Sequence, residues 1–391
     1  MFPHNSVFPI NCGMQSADRL QTVHEYYFSV KLREIAALRA QGKSVINLGI
    51  GSPDLPPPPE AVEVLVREAQ RADAHQYQSY QGIPEFRNAI AGFYKAQFGV
   101  DLAPAGELLP LMGSKEGITH ISLAYLNKGD QVLIPALGYP TYTSVTQMVE
   151  AEPLYYPLQE DRQWEPDWDF FENLDFSKIK ILWLNYPHMP TGTVGSLALL
   201  ERFVQLAQKH SLLLVHDNPY SFILNERPTS IFEVPGAKNV CLELNSLSKT
   251  FNMSGWRVGW AAGSEALLQP VLRIKSNMDS GMFRPVQLAA ATALTQGTHW
   301  YSQLAHVYRE RRERAFELLD RLGCTYSREQ SGLFVWARSP LDDVSPLIDQ
   351  WLYEKSLFIT PGHIFGEAGR PYVRISLCSP VAVFEEAIGR I

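Results

Sequence analysis

Between about residue 60 and residue 280, short apolar runs alternate with segments of helical length, and this alternation constrains the fold more than any other feature of the chain. The runs are 107–112 (ELLPLM), 131–135 (QVLIP), 180–184 (KILWL), 211–215 (SLLLV), 239–244 (NVCLEL) and 258–262 (VGWAA). Several are continuously apolar, as strands covered on both faces must be. Helical patterns fall at 115–126, 140–150, 196–210 and 265–279. Strand–helix alternation of this kind predicts an α/β fold, a mostly parallel sheet flanked by helices. The ends of the chain read differently. Residues 21–43 form a helical pattern ending at Gly42, and a long one covers 287–322. CTYSREQSGLFVWARS and PYVRISLCS then read as strands, and 380–390 as a closing helix. A chain of 391 residues exceeds one core, since single cores stop growing at roughly 250–300 residues. The expected division is an N-terminal arm and helix (1–45) belonging to a small domain, a large domain (46–283), and a small α+β C-terminal domain (284–391).

Several functions are excluded on charge and composition. The net charge is -7, whereas broad nucleic-acid binding needs a basic face. No run of about 18 apolar residues exists to span a membrane. The start MFPHNSVFPINCGMQSADRL has no basic-then-apolar leader, so a cytoplasmic protein is expected. Its first 20 residues lack periodicity and read as a loose arm, or as lying upstream of a start at Met14. Cys12, Cys241, Cys324 and Cys378 are scattered and form no CxxC pair, which predicts neither zinc nor a disulfide framework; no metal site is expected. No GxGxxG follows a first strand and there is no P-loop, which argues against a plain nucleotide-binding protein.

The richest chemistry lies in NSLSKTFNMSGWRVGW (245–260). A buried lysine near a cation is a good amine nucleophile. Ser246, Ser248 and Arg257 offer hydroxyl donors and a guanidinium fork suited to a phosphate. Taken alone, the segment reads equally as a surface lysine in a loop, with Arg257 paired to a carboxylate. In VHDNPYS (215–221), Asp217 ends an apolar strand, where open α/β sheets bind ligands; it also suits a helix N-cap. LMGSKEGITH (111–120) opens a helix on Gly-Ser-Lys, an anion site or an ordinary cap. Tyr139 in PALGYPTYTS is a stacking candidate or a core tyrosine. Arg374 in PYVRISL is a carboxylate fork or a solvated strand residue.

SLSKTFNMSGWRVGW resembles the lysine signature of the class I and II aminotransferases, S-x-[SA]-K with an arginine eight positions on. The resemblance implies fold-type I and pyridoxal 5'-phosphate (PLP) held by Lys249 as a Schiff base, with Ser246 and Arg257 on the cofactor phosphate. VHDNPYS matches the family's D-x-x-Y, which implies Asp217 at the ring nitrogen and Tyr220 at the phenolic oxygen. An aspartate there keeps the ring protonated and makes it an electron sink. LMGSKEG is similar to the first phosphate loop, implying Ser114 and the Lys115 backbone as contacts. PALGYPTYTS implies Tyr139 stacked on the ring. HQYQSYQGIPEFRNAI (75–90) implies Tyr77 on the phosphate of a partner subunit, hence a homodimer with shared active sites. INLGIGSPDLP and PYVRISL look like the substrate-carboxylate elements, implying Gly51 and Arg374, and PGHIFGEAG supports that register. The activity implied is ping-pong transfer of an amino group between an amino acid and a 2-oxo acid.

One departure stands out. The family shows N-P-T-G, and this chain reads NYPHMPTG (185–192), with Met189 where an asparagine donates to the phenolic oxygen. Methionine cannot donate a hydrogen bond. Asn185 and His188 are nearby polar residues that would compensate. The departure keeps an alternative open, a PLP-dependent carbon–sulfur lyase or related elimination enzyme. A non-catalytic PLP sensor is disfavoured, because the chain has no room for a DNA-binding module. For the substrate side chain, Tyr26, Tyr27 and Phe283 are the expected lining. Arg284 falls short of the position of a second, side-chain-binding arginine, which favours a neutral, aromatic or sulfur-containing amino acid over a dicarboxylate.

Overall fold

The computed structural model describes residues 14–391. Cys12 and most of the expected arm lie outside the described residues. Seven strands form the central sheet: β1 (Leu108–Leu111), β2 (Gln131–Pro135), β3 (Glu152–Tyr156), β4 (Ile179–Leu184), β5 (Leu213–Asp217), β6 (Cys241–Ser246) and β7 (Gly259–Gly263). Their spatial order is β1-β7-β6-β5-β4-β2-β3. Only β7 runs against its neighbours, pairing antiparallel with β1 and β6. The fold is thus the α/β arrangement expected, a mostly parallel sheet with helices on both faces.

Local chemistry explains the flanking helices. The helix Leu197–His210 starts at Ser196, whose side chain accepts from the Leu199 amide, an N-cap worth about 1 kcal/mol. The helix Pro84–Phe98 has proline in its first turn and stops at Gly99, which takes φ +70°. Two apolar clusters sandwich the sheet. Leu182, Leu184 and Leu214 point to one cluster, whereas Ile181, Trp183 and Val215 point to the other, as the two-residue period of a strand requires.

A second body is built on the antiparallel strands Phe334–Arg338, Tyr372–Ser376 and Thr360–Pro361. The helices Thr298–Arg321, Ser345–Glu354 and Val381–Gly389 cover it. Ile35, Leu38 and Val45 from the N-terminal helix and its exit pack on Leu352 and Phe358 of this body. Ile46–Asn47 pairs parallel with Leu357–Phe358. The helical pattern expected over 287–322 is two helices, Arg284–Leu294 and Thr298–Arg321. The first packs through Ala289, Ala290 and Ala293 into the core of the sheet, so by packing it belongs with the large body rather than with the segment that follows it.

Candidate active site

Every parallel strand ends at the same edge of the sheet, and because β7 is reversed its beginning lies at that edge too. That edge forms one wall of a cavity of about 800 Å³, lined by Ser114 and Lys115 beyond β1, Tyr139 beyond β2, Asn185 beyond β4, Asp217 and Tyr220 at β5, and Lys249 and Arg257 between β6 and β7. Gly51, Phe334, Phe365 and Arg374 close it from the other body, and Tyr26 from the start of the N-terminal helix. Ligand sites of open α/β sheets occupy this place.

Asp217 is 4% exposed. Its Oδ2 accepts from the Tyr142 hydroxyl at 2.8 Å, while Oδ1 is buried with no partner among the described residues. Burial pushes the carboxyl up to about 6, against the opposing pull of Tyr142 and of the charge on His216. A buried, half-satisfied carboxylate on a cavity wall asks for a cationic N–H. Tyr142 is itself fixed by stacking on Trp183, with centroids 4.9 Å apart and planes 11° from parallel.

Lys249 lies in the short helix Leu247–Thr250, capped by Ser246, whose Oγ accepts from the Ser248 amide at 3.1 Å. Burial lowers its ammonium below the usual lysine range, and Arg374 and Arg257 lower it further. Its Nζ donates to the Gly51 carbonyl. Arg257 takes φ +56° and donates to the carbonyls of Ser254 and Met112 at 2.9 and 3.1 Å. Gly113 makes room for it: a Cβ there would sit 2.2 Å from Arg257 Nη2, and its φ is +85°. The helix Ser114–Tyr125 begins at this glycine with no side-chain cap. A guanidinium beside free helix N–H groups forms an anion cradle.

Arg374 is 4% exposed, and burial brings it down to about 10. Nη2 donates to the Gly49 carbonyl at 3.0 Å and Nη1 meets Met189 Sδ at 3.3 Å. Nε has no partner. The guanidinium lies over the Phe334 ring at 3.8 Å and the Phe365 ring at 4.6 Å. Its surroundings are thus a carbonyl, a sulfur and aromatic faces, and a buried cation so placed calls for a carboxylate. Gly51 is tight against the Phe334 ring: a Cβ would sit 2.3 Å from it. The Gly51 loop is clamped by Arg311, which forks onto Asp54 at 2.6 and 2.8 Å.

These features fit PLP. The orphaned Asp217 oxygen suits a protonated ring nitrogen, the Gly113–Arg257 cradle suits a phosphate, and the half-buried Lys249 amine suits an aldehyde. Of the residues named from sequence, Tyr26, Gly51, Ser114, Lys115, Tyr139, Asp217, Tyr220, Ser246, Lys249, Arg257 and Arg374 line the one cavity. Tyr77 does not; its side chain is 90% exposed. Tyr27 and Phe283, expected in the lining, lie elsewhere: Phe283 stacks on His75 at 5.8 Å and Tyr27 packs beside the Leu352–Phe358 cluster. His188 is turned away, its ring held by the Leu137 carbonyl and the Thr191 hydroxyl. Asn185 reaches the cavity, but its amide is spent on the Asp217 carbonyl and the Met189 amide. Neither replaces the donor that Met189 lacks. Sequence reasoning missed Tyr142, Phe28 and Phe334 in the lining. Only Tyr142 carried a signal, as the second tyrosine of PALGYPTYTS.

Residues 43–391 match the family described as aminotransferase class I and II. The LL-diaminopimelate aminotransferase of Oleidesulfovibrio alaskensis is 38% identical over 379 residues, 96% of this chain and 98% of that protein. Among solved structures, substrate-bound BacF from Bacillus subtilis superposes with a TM-score of 0.92 at 33% identity, covering 96% of this chain and 97% of that one. A probable N-succinyldiaminopimelate aminotransferase from Thermus thermophilus gives a TM-score of 0.85 at 33% identity, covering 93% and 98%.

Proposed function

The chain belongs to the class I and II aminotransferases, PLP enzymes of fold-type I, and on that premise we propose how its own residues divide the work and what it acts on. Relatives named as aminotransferases do not favour the elimination reading. The observation that carries the proposal is the pairing, in one cavity, of a buried arginine that has no acidic partner with a buried aspartate that has an unpartnered oxygen. Arg374 binds the α-carboxylate of the amino acid, with Nε and the open side of the fork facing it. The Gly51 backbone assists. Asp217 Oδ1 takes the ring N–H of the cofactor, Ser114, the Lys115 amide, Ser246 and Arg257 hold its phosphate, Tyr139 stacks on the ring and Tyr220 donates to the phenolic oxygen. When bound, PLP supplies the electron sink that makes the Cα–H bond of an amino acid acidic. Lys249 Nζ, whose proton affinity burial lowers, takes that proton as general base. Buried Phe334 and half-buried Tyr26 and Tyr139 would limit water around it during the exchange.

For the substrate, Tyr26, Phe28, Ile50 and Leu32 make the wall near Arg374 apolar and aromatic, which supports a neutral, aromatic or sulfur-containing amino acid. Lys115 lines the same cavity, as does Arg33, whose fork is engaged by Glu25; Lys115 supports a second reading, LL-diaminopimelate, whose distal carboxylate it would meet. Glutamate is the expected second donor. The visible spectrum of the PLP-loaded protein decides between them. Bleaching by phenylalanine or methionine supports the first substrate, and bleaching by LL-diaminopimelate alone supports the second. A protein that cannot be loaded, or that releases ammonia without bleaching, overturns the proposal.

The working unit in this reading is a homodimer. Tyr77, Tyr80, Met278 and Phe283 are exposed together, because Gly281 packs against the carbonyls of Gln78 and Ser79. That apolar group is the face on which a second copy would seat, with Tyr77 reaching the partner's phosphate. The domain division is kept with one change: Arg284–Leu294 goes with the large PLP-binding domain. No described helix is long and apolar enough to cross a membrane.

A further inference from the structure

Directly behind Asp217, on the opposite face of the sheet, lies a buried polar group that the reaction does not touch. Successive residues of a strand face opposite ways, so His216 points away from the cavity that Asp217 lines. Both His216 and Glu243 are fully buried, and they are register partners on β5 and β6. His216 Nε2 is 3.0 Å from the Tyr186 carbonyl and Nδ1 is 3.0 Å from Glu243 Oε2. A carbonyl only accepts, so Nε2 carries a proton. Glu243 receives the Ile231 amide at 2.9 Å and the Tyr94 hydroxyl at 2.7 Å. The Ser230 hydroxyl reaches both its oxygens, at 3.1 and 3.2 Å. The Tyr94 oxygen accepts from Trp260 Nε1 and the Ser230 oxygen from the Phe232 amide, which leaves both hydroxyl protons for Glu243. Donors converging on both oxygens favour the ionised form of a carboxyl, and the geometry suits a proton on His216 Nδ1 pointing at it.

We propose that the buried His216–Glu243 pair is a positioning device, which fixes Asp217 from behind the sheet and keeps its carboxylate ionised. The pair ties together the segments that carry the site. Tyr186 follows Asn185, whose amide holds the Asp217 carbonyl at 2.6 Å. Ser230 and Ile231 close the loop that begins at Tyr220. In this proposal the His216 ring is an imidazolium on the far side of the Asp217 backbone, where its charge opposes protonation of that aspartate. On the cavity side, Asp217 faces Tyr142, Tyr139, Tyr220 and Lys249, so the charge balance is set jointly from both faces. The proposal rests on the assignment of Asp217 to the cofactor's ring nitrogen.

The test follows PLP affinity of the apoprotein against pH in wild type, His216→Asn, Glu243→Gln and Asp217→Asn. Wild-type affinity should fall as Asp217 is protonated, near pH 6. In His216→Asn and Glu243→Gln that fall should move upward by about one pH unit, with affinity down about twofold at pH 7 and approaching tenfold below pH 6. A fall left in place in both folded variants overturns the proposal, since a merely structural role predicts lower melting temperatures only. Neutron diffraction of wild-type crystals at neutral pH needs no variant: deuterons on both ring nitrogens of His216 are expected, and a bare Nδ1 overturns it. Unchanged affinity in Asp217→Asn at every pH marks the Asp217 assignment itself as the fault, and the proposal falls with it.

Discussion

Asp217 places a stability cost inside the site that, in the proposed reading, the cofactor would relieve. Its carboxyl is lifted by burial from the ordinary aspartate value to about 6. Between those values the folded apoprotein binds more protons than the unfolded chain, so its stability falls as pH rises through that window and the cost is complete above it. Asp217→Asn should therefore make the apoprotein more stable than wild type at pH 8, by on the order of 2–3 kcal/mol, and not at pH 4, while PLP affinity drops. Thermal melts of both apoproteins at the two pH values check it; equal melting at pH 8 would count against a strained carboxylate. Met189 presents the opposite case, a missing donor. Its sulfur meets Arg374 instead, and Asn185 and His188 are committed to other partners. Met189→Asn should shift the pH titration of the cofactor's visible band to lower pH by about one unit, the worth of one hydrogen bond to a charged oxygen. An unmoved midpoint would show that Tyr220 already satisfies that oxygen.

The elements matter for where they begin and end. The cradle at Arg257 depends on two backbones bending unusually, Gly113 at φ +85° and Arg257 at φ +56°. Gly113→Ala should cost about 1–2 kcal/mol in backbone strain and drive the new methyl into the guanidinium. The expected outcome is PLP affinity lowered at least tenfold with phosphate-free pyridoxal hardly affected, measured by titrating both into the apoprotein. Six strands of the central sheet and most helices were legible in the sequence because continuous apolar runs and helical periods are local signals; the half-exposed edge strand Glu152–Tyr156 carries no such run and was missed. Residues of the cavity were legible where they sit in contiguous motifs, as Lys249, Ser246 and Arg257 do. Tyr142 and the His216–Glu243 pair were not. Their meaning comes from partners 75 and 27 residues away, and nothing in a linear string announces a cross-strand register. The break between Arg284–Leu294 and Thr298–Arg321 was hidden for a related reason: both halves are helical, and only packing assigns them to different bodies.

At the scale of the molecule, Tyr77 is the residue whose placement a single chain leaves unexplained. An aromatic side chain 90% exposed beside Tyr80, Met278 and Phe283 makes sense as half of an interface. Light scattering should give twice the 44.1 kDa chain mass. Tyr77→Phe should keep that mass but weaken PLP binding about fivefold to tenfold, the loss of one hydrogen bond to phosphate. A monomer with full affinity would remove the shared site.

The cavity takes its walls from two bodies with separate cores. The sheet edge contributes the amine, the aspartate and the anion cradle, and the C-terminal body contributes Arg374 and the aromatic ring of Phe334. In the proposed reading Arg374 would hold the α-carboxylate that every amino acid carries, so what is done to a molecule would be written at the sheet edge, and which side chain is admitted mostly in the N-terminal stretch of Tyr26, Phe28, Leu32 and Ile50. A lineage can rewrite the second without reopening the first, and a catalogue of descendants with one chemistry and many diets is the outcome such an arrangement makes easy.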